Sequence, residues 1–304
     1  MKPQFDNIQI ILPELPLPLE YVHKVAAVGT GSGVDTDIPL NGISQDYIFA
    51  LVIGNEDYSS FQVGLESNTD VDFAENDARI FTEYLRKTLG LPDENITLLI
   101  NATSGQIKQA LAKMTALAKA YDGEAEFIFY YAGHGLPDEK TGDPYLMPVD
   151  VAPSDLAYAV SLQDVYEKFT NYESGKVTIF LDACFSGGAR NEALLASRGI
   201  RIRPKSPFVM GNLIVFSASR GDQTAYAYAD ERHGMFTYHL LKKLQETKGM
   251  VSFGELAEFL EKEVNRRSLL VNNREQEPVI KVSPILEYTW RDFYFIPQGQ
   301  VINE

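Results

Sequence analysis

The chain has 304 residues, 45% of them hydrophobic, a formal net charge of -15 and one cysteine. That is enough apolar material for a full core, the single Cys excludes an internal disulfide, and the negative charge argues against nucleic acid and anionic membranes, both polyanions. No run approaches the ~18 apolar residues of a membrane span, and the first residues lack a basic region ahead of an apolar run, so a cytoplasmic location without a signal peptide is expected.

Residues 1 to 45 are rich in Pro, Gly and Asp and read as an N-terminal arm or small extension. Gly29 to Gly33 is a flexible stretch, and Ile8 to Leu12 and Tyr21 to Val28 are short strand candidates. A main domain is expected over 46–304. Tyr47 to Gly54 is a continuous apolar run, the mark of a strand buried on both faces. Glu75 to Leu89 has its apolar residues Ala78, Phe81, Leu85 and Leu89 near helical spacing. Ile96 to Ile100 is a strand, and Thr103 or Ser104 can cap a helix that runs through Tyr121. Phe127 to Ala132 is a third strand. Leu162 to Tyr172 is a helix with Ser161 at its N-cap, Val177 to Leu181 a fourth strand and Leu213 to Ser217 a fifth. Met235 to Leu244 and Phe253 to Arg266 are helices, and Val279 to Val282 is a short last strand. Strands that alternate with helices predict an α/β domain with a mostly parallel sheet covered on both faces.

In open α/β sheets, sites form beyond the carboxyl ends of the strands. The third strand ends in Gly133-His134-Gly135 and the fourth runs into Asp182-Ala183-Cys184. A thiol attacks well only as thiolate, and an imidazole can take its proton and later protonate a departing amine. The N–H groups of Gly135 and Cys184 can face a developing oxyanion. An isolated Cys is more often a small buried hydrophobe, but the flanking glycines favour an uncovered nucleophile. His23, His233 and His239 stand in no strand-end turn and read as structural. One Cys and four scattered His make no metal ligand set. Asp138, Glu139 and Asp143 lack the spacing of a defined calcium loop and read as exposed turn residues. No metal or cofactor is assigned. A second reading is a phosphatase loop, because Cys184 to Arg190 has C-x5-R spacing. It leaves His134 unused, and Asp182 puts negative charge where a phosphate needs positive.

Ala132-Gly133-His134-Gly135 and Asp182-Ala183-Cys184-Phe185-Ser186-Gly187-Gly188 resemble the signatures of the caspase-like cysteine peptidases, in particular the bacterial caspase-like and metacaspase branch. Val52 to Asn55 with Tyr58, Asn76-Asp77-Ala78, Tyr145 to Asp150, Phe216 to Ser219 and Gly234 to Tyr238 match in the same order, over roughly Tyr47 to Leu270. The resemblance implies a caspase-like three-layer sandwich with about six central strands. It divides the main domain into a large-subunit-like part to about 188, a basic linker over 189–207 and a small-subunit-like part over 208–304. It makes Cys184 the nucleophile, His134 the acid/base, and the Gly135 and Cys184 N–H groups the oxyanion hole. Asp182 matches the acidic residue of the Arg/Lys-specific branch, where enzymes that cleave after Asp carry Gln. Asp77 matches a second acid of that pocket, and two carboxylates suit a guanidinium or ammonium. Asp77 also suits a helix first turn, and Asp182 a hydrogen-bonded strand end.

Between Ala189 and Pro207 lie Arg190, Arg198, Arg201, Arg203 and Lys205, in the region that such enzymes often cut during activation. A solvated basic loop explains the same residues. The expected substrates are polypeptides with basic residues, and the expected assembly is a monomer or homodimer. The rival from another class is a catalytically silent caspase-like module that binds partners. An intact His134 and Cys184 argue against it.

Overall fold

The computed structural model describes residues 32–185 and 204–296. The strands expected before residue 31 lie outside these, as do Arg190, Arg198, Arg201 and Arg203. The described residues form a six-stranded sheet in which β1 (Ile48–Gly54), β2 (Ile96–Ile100), β3 (Glu126–Ala132), β7 (Val177–Asp182) and β8 (Leu213–Ser217) run parallel. Strand β11 (Val279–Val282) pairs antiparallel with β8 at one edge. The order is β11-β8-β7-β3-β1-β2.

Alternate residues of each strand feed two cores, as a period of two requires. Val52, Tyr130, Phe180 and Phe216 face α1 (Ala74–Lys87), α4 (Met235–Thr247) and α5 (Phe253–Asn272). Leu51, Phe129, Ile179 and Val215 face α2 (Ser104–Tyr121) and α3 (Leu162–Thr170). The result is the expected three-layer α/β sandwich. Local signals fix the helix starts. Thr103 and Gln106 form a reciprocal capping box on α2, Ser252 and Glu255 another on α5, and the Ser161 side chain caps α3.

Three features depart from expectation. The segment from Ser32, assigned to an arm, is bonded into the domain: the Asn41 amide donates to the carbonyls of Thr88 and Lys248, and the Tyr84 hydroxyl to Val34. A small antiparallel sheet of β4 (Gly135–Pro137), β5 (Pro144–Leu146) and β6 (Val160–Ser161) follows β3. A two-residue hairpin pairing, β9 (Ala227–Tyr228) with β10 (His233–Gly234), precedes α4.

The register of the sheet positions the site. Ala132 of β3 pairs with Asp182 of β7. His134 and Cys184 therefore each lie two residues past the same rung of two adjacent parallel strands, at the carboxyl end of the sheet.

Candidate active site

Cys184 is 4% exposed, on the same face as Phe180 and Asp182. The backbone N–H of Ala225 points at its Sγ from 2.7 Å, and the Ala225 carbonyl lies 3.5 Å away. A cavity of about 310 Å³ beside Phe185 reaches Tyr166, Arg220 and Lys281 but neither Cys184 nor His134.

His134 is held on every side. Its Nε2 lies 2.6 Å from the Thr69 carbonyl, which only accepts, so Nε2 carries the hydrogen and Nδ1 is the basic nitrogen of the neutral ring. The Tyr58 ring packs against the imidazole at 4.5 Å between centroids. The Tyr58 hydroxyl accepts the His134 backbone N–H at 3.0 Å and lies 3.0 Å from the Met147 carbonyl. The Tyr131 hydroxyl lies 2.8 Å from the His134 carbonyl, which also accepts from Met147 N–H. Burial pushes the Tyr58 hydroxyl up to about 12 and that of Tyr131 well above its usual range, so both stay protonated and able to donate.

The glycines beside His134 answer close approaches. A Cβ on Gly133 would stand 2.7 Å from the Tyr131 hydroxyl. One on Gly135 would stand 2.7 Å from the Phe185 ring and 2.9 Å from the Cys184 carbonyl. Gly135 and the nucleophile segment thus touch, which no other residue type would permit here.

Asp77 and Asp182 are both fully buried and both meet the N-terminus of α4. Asp182 Oδ2 accepts from the Thr237 backbone N–H at 3.2 Å and from its hydroxyl at 2.6 Å. Thr237 Oγ1, having spent its proton, accepts from Tyr130 at 2.7 Å. Asp77 takes the Gly234 N–H on both oxygens, at 3.0 and 3.2 Å, and His233 Nδ1 at 2.7 Å. His233 Nε2 lies 2.8 Å from Asp35. Both ring nitrogens face carboxylates, which only accept, so the ring is an imidazolium. Burial pulls its pKa down, but the bonds to Asp35 and Asp77 outweigh burial and raise it to about 9. Two positive helix-end amides and one imidazolium thus neutralise acids that would otherwise be costly to bury.

Lys205 is exposed and pairs with Asp143 at 3.6 Å. Asp138 accepts from Lys140 and Thr141 backbone N–H groups in an exposed turn. Among the described residues no group of three or more His, Cys, Asp and Glu is arranged to hold a metal, and no helix is long and apolar enough to cross a membrane.

Sequence reasoning missed the Thr69 carbonyl, which has no side-chain signal, and Ala225, Asp35 and His233, which act only through partners far along the chain. Tyr58 was visible as part of the resemblance, without a role.

Residues 48–288 match the caspase domain family. A probable protease of a Desulfuromonadales bacterium is 27% identical over 77% of this chain and 31% of its own length. Metacaspase III c of Phaeodactylum tricornutum is 28% identical over 37% of this chain and 36% of its own. The chain spans about a third of the length of these curated relatives. The crystal structure of a Geobacter sulfurreducens protein is similar in fold, with a TM-score of 0.58 at 18% identity over 84% of this chain and 99% of that one. With the match covering nearly all of the sheet and its helices, the chain belongs to the caspase domain family of cysteine peptidases.

Proposed function

We propose that this chain is a cysteine endopeptidase that cleaves after Arg or Lys with Cys184 and His134 as its dyad. The observation that carries the reading is the shared rung of β3 and β7, which sets His134 and Cys184 at one level, with the Thr69 carbonyl holding the imidazole in the tautomer whose Nδ1 is basic. His134 takes the thiol proton and Cys184 Sγ attacks the scissile carbonyl carbon. The carbonyl oxygen becomes an oxyanion opposite the Gly135 and Cys184 N–H groups. The imidazolium then gives its proton to the leaving amine as the C–N bond breaks. Water, deprotonated by the same ring, hydrolyses the thioester and restores the thiol.

Asp77 and Asp182, brought together at the α4 N-terminus, support the basic P1 preference. Self-cleavage in the linker, at Arg190, Arg198, Arg201, Arg203 or Lys205, follows from the same preference. A silent binding module is the second reading, favoured by one observation: Cys184 is 4% exposed beneath Ala225. Fluorogenic peptides with Arg, Lys or Asp at P1 decide between them. Hydrolysis of the Arg and Lys peptides, abolished in Cys184→Ala, is expected. Faster cleavage after Asp overturns the pocket assignment, and inactivity on all three sinks the peptidase reading.

A further inference from the structure

We propose that His233 sets the P1 preference, as an internal cation seated on Asp77 that a basic P1 side chain must displace. The inference rests on the reading of Asp77 and Asp182 as the P1 pocket. It concerns a residue that the pocket reading does not include.

Three buried or nearly buried carboxylates, Asp35, Asp77 and Asp182, gather around this region, and His233 is the cation bonded to two of them. Asp77 and His233 are wholly shielded from water, and Asp35 is 18% exposed. A substrate cation that reaches Asp77 therefore meets a carboxylate already paired at 2.7 Å. It gains only the difference between its own bond and the imidazolium's. A guanidinium can offer a planar two-pronged bond in exchange, whereas an ammonium offers one point of charge. A neutral P1 side chain leaves the His233 pair intact and gains nothing. An internal cation thus screens out weak cations and favours Arg over Lys.

The backbone that carries His233 also runs close to the nucleophile. His233 pairs with Tyr228, and Gly234 with Ala227, in the β9–β10 ribbon. Two residues before that ribbon stands Ala225, whose N–H faces Cys184 Sγ. When His233 leaves Asp77 its proton stays on the ring, and its second bond, to Asp35, remains.

The test compares KM and kcat for Arg and Lys peptides in wild type, His233→Gln and Asp35→Asn. Gln keeps a neutral donor near Asp77. Asn at the partly exposed Asp35 weakens the hold on the imidazolium with little risk to folding. KM for the Arg peptide is expected to fall about tenfold in His233→Gln, the worth of one charged hydrogen bond, and by a smaller factor in Asp35→Asn. The preference for Arg over Lys narrows. A wild type that cleaves the Arg peptide, with KM unchanged or raised in the folded variants, overturns the role of His233 alone. A wild type inactive on both basic peptides sinks the pocket reading beneath it.

Discussion

The hydroxyl of Tyr58 is the group whose removal should most clearly expose how the His134 loop is held. Tyr58→Phe keeps the ring that packs on the imidazole at 4.5 Å and deletes one oxygen. That oxygen accepts the His134 backbone N–H and lies within bonding distance of the Met147 carbonyl. Met147 keeps partners in Tyr131 and Asn55, so its carbonyl is not orphaned. The His134 N–H loses this acceptor inside the protein, where an unmade bond costs about 1–3 kcal/mol. In a domain of this size that corresponds to a fall in Tm of roughly 2–4 °C per kcal/mol. The loop also gains freedom to tilt the imidazole, and small misplacements of a catalytic group cost up to about a hundredfold in rate. Thermal unfolding and steady-state kinetics on an Arg peptide would be measured together. We expect Tm to drop by several degrees and kcat to fall at least about tenfold, with KM nearly unchanged. Wild-type Tm and kcat in the variant would refute the argument that this hydroxyl positions His134.

His239 on α4 is buried, with neither ring nitrogen hydrogen-bonded among the described residues, and burial lowers its pKa to about 4. Its neutral form is favoured by folding, so its contribution is complete above its ordinary value of 6.5 and is lost as the pH falls toward 4. His239→Leu should flatten that acid limb, by about 3 kcal/mol at its foot, in urea titrations from pH 7 to pH 4. His233 has the opposite sign: its raised pKa of about 9 means a contribution present below 6.5 and lost as the pH rises through 9. The same titrations from pH 7 to pH 10 should steepen for wild type and not for His233→Gln. Asp182→Asn removes the charge that accepts from Thr237 and should abolish hydrolysis after Arg without creating hydrolysis after Asp. During incubation, wild type should be cut within 189–207 while Cys184→Ala persists, and equal persistence of both chains would end the self-cleavage idea.

Much of the fold was legible because the strands of its main sheet are apolar runs bounded by turn residues. Ile96–Ile100, Leu213–Ser217 and Val279–Val282 begin and end where that pattern places them. Helix ends were less legible. The last helix, expected to stop at Arg266, runs to Asn272, because Leu269, Leu270 and Val271 continue the turn although exposed. The small sheet after β3 escaped notice since strands of two or three residues, with Gly and Pro among them, carry no periodicity. His134 and Cys184 stood out through local glycines and strand ends. Their supports did not, because Thr69 contributes a backbone carbonyl and Ala225 a backbone N–H, groups that carry no side-chain signal. His233 read as a structural histidine. Its charge depends on Asp35 and Asp77, 198 and 156 residues away in sequence, which only the fold brings to one ring.

The central claim is that Cys184 is a nucleophile served by His134 and presented with a basic P1 residue. Intact-mass and peptide mass spectrometry after treatment with an arginyl chloromethyl ketone tests it most directly. One covalent adduct on Cys184 is predicted, formed faster than with the aspartyl analogue and slowed at least about a hundredfold in His134→Ala. No adduct on Cys184 in the folded wild type, or labelling at the same rate without His134, would contradict the account.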